Sequence, residues 1–367
     1  MARVVPGETR PSALAPQVRG SIPVFWSEVP NIKYKPKRVI IEGSATEQGF
    51  DRHITDLAER YRAVTGINLS GLNPKKSEGK LSVAYAQQAE RFAQQSSAFR
   101  LVPFDFHKKC GATNYHRLAE LWSEVECDYQ KFGSFIQDED GAVRRQAGVF
   151  RTNCIDCLDR TNVVQGYLAR HQLEDLLRSF GLLSPLVEVA SAFPKFDLQF
   201  KALWADHGDS VSREYAGTGA LKSGFTRTGR RTLDGFLDDG IKSVMRYYLN
   251  NFEDGRKQDA YDLLLGAFDA ATPKVSPWRA QQASPSLPLL LAAVAAAYAL
   301  FSAQRSAALE ALHGLLGLPR RNPPLLSVAL PLSIAVGLLG FVVANGKGFT
   351  NRPRLRPDLV QPWTAPE

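Results

Sequence analysis

Cysteine is scarce in this chain: four occur in 367 residues, at positions 110, 127, 154 and 157. So few thiols cannot staple a scaffold of this size, and the fold has to rest on a hydrophobic core. Cys110 and Cys127 are expected to be reduced structural thiols of a cytosol-facing domain. An apolar leader is also missing. Met1 to Gln17 is polar and proline-containing, so no secretory signal is expected. Internal repeats are not visible. No nucleic-acid module is recognisable, and the net charge of +8 is spread rather than striped. His53, His116, His171, His207 and His313 form no motif. With 44% hydrophobic and 22% charged residues, the chain can hold a substantial core. Its basic balance favours an anionic partner, and a membrane surface would account for the C-terminus as well.

The most informative stretch is Arg151-Thr-Asn-Cys-Ile-Asp-Cys-Leu-Asp-Arg-Thr-Asn162. Cys154 and Arg160 have five residues between them, the spacing of a thiol phosphatase loop. In such a loop successive backbone N–H groups point into one cavity, and the arginine closes it with a planar fork matched to phosphate oxygens. The same donors and charge are expected to stabilise a thiolate on Cys154, and only the thiolate attacks phosphorus efficiently. The flanks fit. Gly148-Val149-Phe150 reads as a buried strand. Thr161 to Phe180 carries Val163, Val164, Tyr167, Leu168, Leu176, Leu177 and Phe180 at mostly helical spacing, with Gly181 as a stop. Strand, tight loop and helix put an anion site at a helix N-terminus.

The block resembles the signature of the Sac (suppressor of actin) phosphoinositide phosphatases. Further segments resemble the same family: Arg19-Gly-Ser-Ile-Pro-Val-Phe-Trp26, Phe104-Asp-Phe-His-Lys108 and Tyr215-Ala-Gly-Thr-Gly-Ala-Leu-Lys222. So do Phe225-Thr-Arg-Thr-Gly-Arg-Arg231 and Tyr247-Tyr-Leu-Asn-Asn-Phe252. The likeness runs from about Gln17 to the C-terminus and is greatest to the branch held in the endoplasmic reticulum and Golgi by two C-terminal membrane helices. Family members carry an N-terminal β-rich domain before the Arg-Gly-Ser-Ile-Pro segment. Here sixteen residues precede Gln17 and resemble neither that domain nor the start of the catalytic one. The resemblance therefore implies a chain lacking the N-terminal half.

The family implies hydrolysis of phosphatidylinositol monophosphates, chiefly phosphatidylinositol 4-phosphate, through a cysteinyl-phosphate that water then cleaves. Cys154 becomes the nucleophile and Arg160 the phosphate clamp. Asp156 is the choice for general acid and Asp159 the competitor. Two carboxylates inside a phosphate loop repel the ligand unless one is neutral or turned away. Asp159 is expected to brace the loop instead. The loop residues Asn153, Ile155, Cys157, Leu158, Asp159 and Thr161 are candidate substrate contacts, as are Lys222 and Arg227. No metal or other cofactor is called for, because the loop and Arg160 neutralise the equatorial oxygens. A truncated, non-catalytic phosphoinositide-binding protein is the alternative.

Other readings of the same residues stand beside this one. Cys154-x-x-Cys157 can be a redox pair, or, with His107-x-x-Cys110, a zinc site; neither explains Arg160 and Thr161. Cys157 is either a small core residue or a trap for oxidised Cys154. His107 is read as a hydrogen-bonding support, with Phe104 and Phe106 facing the core. Lys222, Arg227, Arg230 and Arg231 lie in or just after a Gly- and Thr-rich stretch, Gly217 to Gly229, expected to be a functional loop. They form either solvated surface or the rim of an anionic site.

The architecture expected is α/β. A mixed sheet would bear Val24–Trp26, Arg38–Glu42, Gly66–Ser70, Arg100–Phe106 and Gly148–Arg151. Helices are predicted at Leu81 to Gln95, Tyr115 to Phe132, Thr161 to Phe180 and Ile241 to Asn251, with Tyr247, Tyr248 and Phe252 as core residues. The catalytic part would occupy 17–272 after an unassigned 1–16, with a linker at 273–286. Two uncharged runs, 287–303 and 325–344, are expected to form a two-helix transmembrane hairpin around a loop at 304–324, followed by a basic cytosolic tail at 345–367. Pro331 and Gly337 suggest a kink in the second run, and a buried helix is the alternative for the first. Lys274, Arg279, Lys347, Arg352, Arg354 and Arg356 outside the hairpin exceed Arg305, Arg320 and Arg321 within it, which orients both ends to the cytosol.

Overall fold

The structure, a computed structural model, describes residues 12–28, 31–32, 38–111, 114–137, 143–228, 232–268, 286–316 and 325–355. Arg230, Arg231, Lys274, Arg279, Arg320, Arg321, Arg356 and the 273–286 linker up to Pro285 lie outside the described residues. Of the described residues, those within 12–27 and 38–246 belong to one compact unit, and 28, 31–32 and those within 247–355 to a second.

The first unit is built on strand β1 (Val18–Arg19), helix α1 (Ser44–Tyr61), strand β2 (Val64–Asn68) and helix α2 (Ser77–Ala93). Strand β3 (Phe99–Pro103), helix α3 (Leu118–Phe132), strand β4 (Val149–Asn153) and helix α4 (Asp159–Ser179) follow. After them come α5 (Pro194–Ala216), α6 (Ser223–Thr228) and α7 (Leu233–Phe252), whose residues from Tyr247 on belong to the second unit. The four strands form one sheet in the order β1-β4-β2-β3, with every pairing parallel.

That arrangement follows from burial on both faces. Every residue of β2 and β4 is buried, the pattern of parallel strands covered by helices on each side. Side chains alternate between two cores. Ile67, Val102 and Phe150 pack with Leu121, Val125 and Leu168 of α3 and α4. Val64, Phe99 and Val149 face Phe50, Ile54, Leu81 and Tyr85 of α1 and α2 on the opposite side.

Several expectations need correcting. The central sheet is parallel rather than mixed. Antiparallel pairing occurs in a separate sheet of Ser12–Leu14, Phe135–Gln137 and Val143–Arg144. In place of the expected Val24–Trp26 and Arg38–Glu42, strands Trp26–Glu28 and Arg38–Ile40 form a ribbon apart from the main sheet. Phe104 and Phe106 are buried as expected, but β3 ends at Pro103 and Phe106 opens a short helix, Phe106–Lys109, whose N-cap is Asp105. Cys110 is buried, whereas Cys127 is exposed. Tyr248 is exposed, so it is no core residue.

In the second unit the two apolar runs form α8 (Ser286–Leu315) and α9 (Leu325–Ala344). Among the described residues, no helix is long and apolar enough to cross a membrane. Helix α8 carries Arg305 and Glu310 among its described side chains. The transmembrane character expected of this hairpin is not supported among the described residues, where the two helices form a packed pair. Small side chains, Ala292, Ala299 and Ala335, are its buried positions, and Val342 joins them. Leu300, Phe301 and Val336 are each more than 60% exposed.

Candidate active site

The chain leaves β4 at Asn153, turns through residues 154–158, and enters the 21-residue helix α4 at Asp159. The turn therefore lies at the C-terminal end of parallel strands and at a helix N-terminus, where unpaired N–H groups favour an anion. Asn153 pins its start: Nδ2 donates to Asn68 Oδ1 at 3.1 Å, and its carbonyl accepts the Leu69 N–H at 2.8 Å. Cys157 has a φ of 55°, the left-handed region that a residue with a Cβ occupies at a cost of about 1–3 kcal/mol. Its neighbours hold it there. Cys157 Sγ donates to the Gly20 carbonyl at 2.7 Å, and Arg19 Nη2 donates to the carbonyls of Cys157 and, at 3.0 Å, Leu158.

This bend aims donors at the Cys154 sulfur, which is fully buried. The Cys157 N–H reaches it at 3.1 Å and the Thr161 hydroxyl at 3.4 Å. Asp156 is also there: its Oδ1 accepts from Cys154 Sγ at 3.3 Å and from the Leu158 N–H at 3.3 Å. The result differs from the armed thiolate expected. The hydrogen bond with Cys157, burial and the Asp156 charge all push the Cys154 thiol well above its ordinary value, against the pull of Arg160. At rest Cys154 is therefore a thiol with the Asp156 carboxyl beside it.

Arg160 is brought to the same place, and its charge bears on Cys154. Its guanidinium meets the Glu78 carboxylate, Nη1 to Oε2 and Nη2 to Oε1 both at 3.4 Å, and Nη1 also reaches the Leu69 carbonyl at 3.5 Å. Burial alone would raise the Glu78 carboxyl. Arg160 and the Gly71 N–H outweigh it and hold Glu78 below its ordinary value.

Asp159 is turned away from the sulfur. Its Oδ1 accepts the Leu221 N–H at 2.7 Å, and its carboxylate pairs with Arg246. Asp156 is consequently the carboxyl in contact with Cys154. Ile155 is half-buried against the core on the α1–α2 face, and Leu158 is buried.

Of the two basic candidates, Lys222 is near and Arg227 is engaged elsewhere. Lys222 has a φ of 64°; its N–H donates to Asp239 Oδ1 at 2.7 Å, and its Nζ stands 5.7 Å from the Tyr115 ring centre. The charges of Arg160, Glu78 and Lys222 all act on His107. Desolvation first, then the Arg160 cation, keeps His107 below its ordinary value. Arg227 is bound by Asp206 and, at 3.4 Å, Asp209. Among the described residues no group of three or more His, Cys, Asp or Glu side chains is gathered as metal ligands.

Four residues were missed by sequence reasoning: Arg19, Glu78, Arg151 and Arg246. Arg151 is buried behind the loop, with Nε on His53 Nε2 at 2.8 Å and Nη2 on the Ser21 carbonyl at 2.7 Å. Arg19 and Arg151 stood inside quoted motifs, which was signal enough. Glu78 and Arg246 carried none.

Residues 13–111 match the model of the SacI homology domain. Over 341 residues the chain is 36% identical to phosphoinositide phosphatase SAC8 of Arabidopsis thaliana, covering 92% of this chain and 55% of that protein. It is 42% identical over 265 residues to phosphatidylinositol-3-phosphatase SAC1-A of Danio rerio, covering 70% and 44%. The Saccharomyces cerevisiae phosphatidylinositol-3-phosphatase SAC1 is 38% identical over 268 residues, covering 71% and 42%. The chain thus spans about half the length of the curated relatives it matches.

Proposed function

The chain belongs to the SacI homology family, and on that premise we propose that it is a phosphatase that removes phosphate from phosphoinositide head groups through a cysteinyl-phosphate. The observation that carries this is the surroundings of one sulfur. Cys154 has N–H and O–H donors on two sides, a carboxylate at 3.3 Å, and the Arg160 cation acting on it.

Asp156 takes the Cys154 proton as the sulfur attacks phosphorus, and the P–O bond to the inositol breaks. The protonated Asp156 then gives that proton to the leaving oxygen. In the second step water attacks the cysteinyl-phosphate, Asp156 accepts its proton, and the thiolate leaves. Arg160 and the N–H groups at the start of α4 stabilise the equatorial oxygens throughout. Lys222 and His107 stand at the rim of the phosphate site in this reading.

Phosphatidylinositol 4-phosphate is the substrate we favour, although two of the relatives carry 3-phosphatase in their names. We place the reaction at the cytosolic face of an endoplasmic reticulum or Golgi membrane. The net charge of +8 suits an anionic surface, and lipid would cover the apolar side chains that α8 and α9 expose. Alkaline carbonate extraction of expressed protein distinguishes integral from peripheral attachment.

The test of function is phosphate release from vesicles holding each phosphatidylinositol monophosphate in turn. Purified protein should turn over the 4-phosphate fastest, and Cys154→Ser should bind the same vesicles without turnover. Binding without turnover by the unaltered protein would favour the non-catalytic reading instead.

A further inference from the structure

Arg160 is held from one end. Glu78 takes one N–H from each of Nη1 and Nη2, at 3.4 Å, and the Leu69 carbonyl takes Nη1 again at 3.5 Å. A guanidinium carries five N–H donors in a fixed plane. The contacts to Glu78 and Leu69 leave its side edge, the Nε–H and the outer N–H of Nη2, which together form the parallel fork that matches two phosphate oxygens.

The group doing the holding is itself fixed. Glu78 Oε2 accepts the Gly71 N–H at 3.0 Å, so the carboxylate is tied to the segment that follows β2. The next residue, Gly79, has its backbone pressed on the turn before α2. A Cβ there would stand 1.8 Å from the Asn73 carbonyl oxygen, so no other residue fits without moving the helix start. The start of α2 is thereby set against the segment before it. The Arg160–Glu78 pair is well shielded, with side chains 13% and 27% exposed.

We propose that Glu78 is the positioning residue for Arg160: it grips the guanidinium end-on and presents the Nε–Nη2 edge to the phosphoryl group above Cys154. Glu78 touches no reacting atom and acts through the arginine alone. The role rests on the phosphatase reading given above. It explains why a carboxylate is tolerated beside a phosphate site: its negative charge is spent on the far end of the cation that the substrate meets.

The test uses the full chain with Glu78→Gln, which keeps the shape and removes the charge, and Glu78→Ala. Three quantities are read: kcat/KM on phosphatidylinositol 4-phosphate vesicles, the inhibition constant of inorganic phosphate, and the affinity of inorganic phosphate for each variant in a Cys154→Ser background. Glu78→Gln should lower kcat/KM by about 10²-fold, the usual effect of a misplacement near 1 Å, and weaken phosphate binding in the same direction. Added to Arg160→Ala, it should weaken phosphate binding no further. A purely structural role would lower the melting temperature while leaving the phosphate affinity of the folded protein unchanged, and that result overturns the proposal. Tighter phosphate binding in Glu78→Gln also overturns it, because Glu78 would then be a competitor of the ligand. If unaltered protein neither turns over nor binds phosphate, the phosphatase reading fails and this role falls with it; turnover with an indifferent Glu78 sinks the role alone.

Discussion

The Asp159 carboxylate lies along the Arg246 guanidinium, with Oδ2 3.0 Å from Nη1 and Oδ1 3.3 Å from Nη2. Arg246 also donates to Thr218 Oγ1, Ser212 Oγ and the Gly219 carbonyl at 2.8–3.1 Å. One half-buried cation therefore ties the first residue of α4 to the loop that carries Lys222. Burial raises the Asp159 carboxyl above its ordinary value, and Arg246 is what opposes that rise.

Removing one partner of such a pair leaves the other charge stranded. Arg246→Ala should cost about 3 kcal/mol in urea unfolding. It should also lower turnover, because both the loop end and Lys222 lose their anchor. Arg246→Met combined with Asp159→Asn should recover much of the stability but little of the turnover. Equal recovery of both would show that the tie has no part in arranging the site.

Lys222 and Arg227 separate a rim residue from a structural one. Lys222 acts on His107 beside Arg160, whereas Arg227 is spent on Asp206 and Asp209. Lys222→Ala should raise KM for phosphoinositide vesicles about 10-fold, the loss of one partly desolvated charge contact. Arg227→Ala should leave KM within about 2-fold. Steady-state kinetics on vesicles decides between them, and the reverse ranking would return Arg227 to the substrate.

Strand β4, the loop and α4 were legible because their signal is local: an apolar strand, a dense polar block and helical spacing in unbroken sequence. The repulsion of two carboxylates in an anion site made a bracing Asp159 expected, but not that its partners would be the Leu221 N–H and Arg246. What escaped were partners brought in by topology. Glu78 reaches Arg160 across 82 positions and Arg246 reaches Asp159 across 87, and nothing near either residue announces it. The resting thiol escaped for a similar reason. Spacing shows which donors surround Cys154, but not that Asp156 turns its oxygen onto the sulfur. Helix α1 was missed although Phe50, Ile54 and Leu57 are spaced for a buried helical face.

That resting thiol has a measurable consequence. Asp156 pushes Cys154 ionisation up and Arg160 pulls it down. In the difference between each protein and its Cys154→Ser counterpart, thiolate absorbance near 240 nm should appear above the ordinary cysteine range. Asp156→Asn should move the midpoint to lower pH, and Arg160→Ala should move it higher. A midpoint indifferent to Asp156→Asn would break the proton route from sulfur to carboxylate.

The Arg160–Glu78 pair predicts the acid limb of stability. Glu78 is an acid whose folded pKa lies below its unfolded one, because Arg160 and the Gly71 N–H overcome the burial that would raise it. Between the two values the unfolded chain binds a proton that the folded chain does not, so stability rises with pH there. The contribution is complete above the unfolded carboxyl range, near pH 4.5, and is lost as pH falls through the folded value. Glu78→Gln removes the titrating group. Its unfolding free energy should therefore lie below that of the unaltered protein at pH 7 and converge on it as the pH is lowered past 4. Urea melts at closely spaced pH values between 3 and 7 read this directly, and parallel curves over that window would mean that the pair contributes nothing to folding.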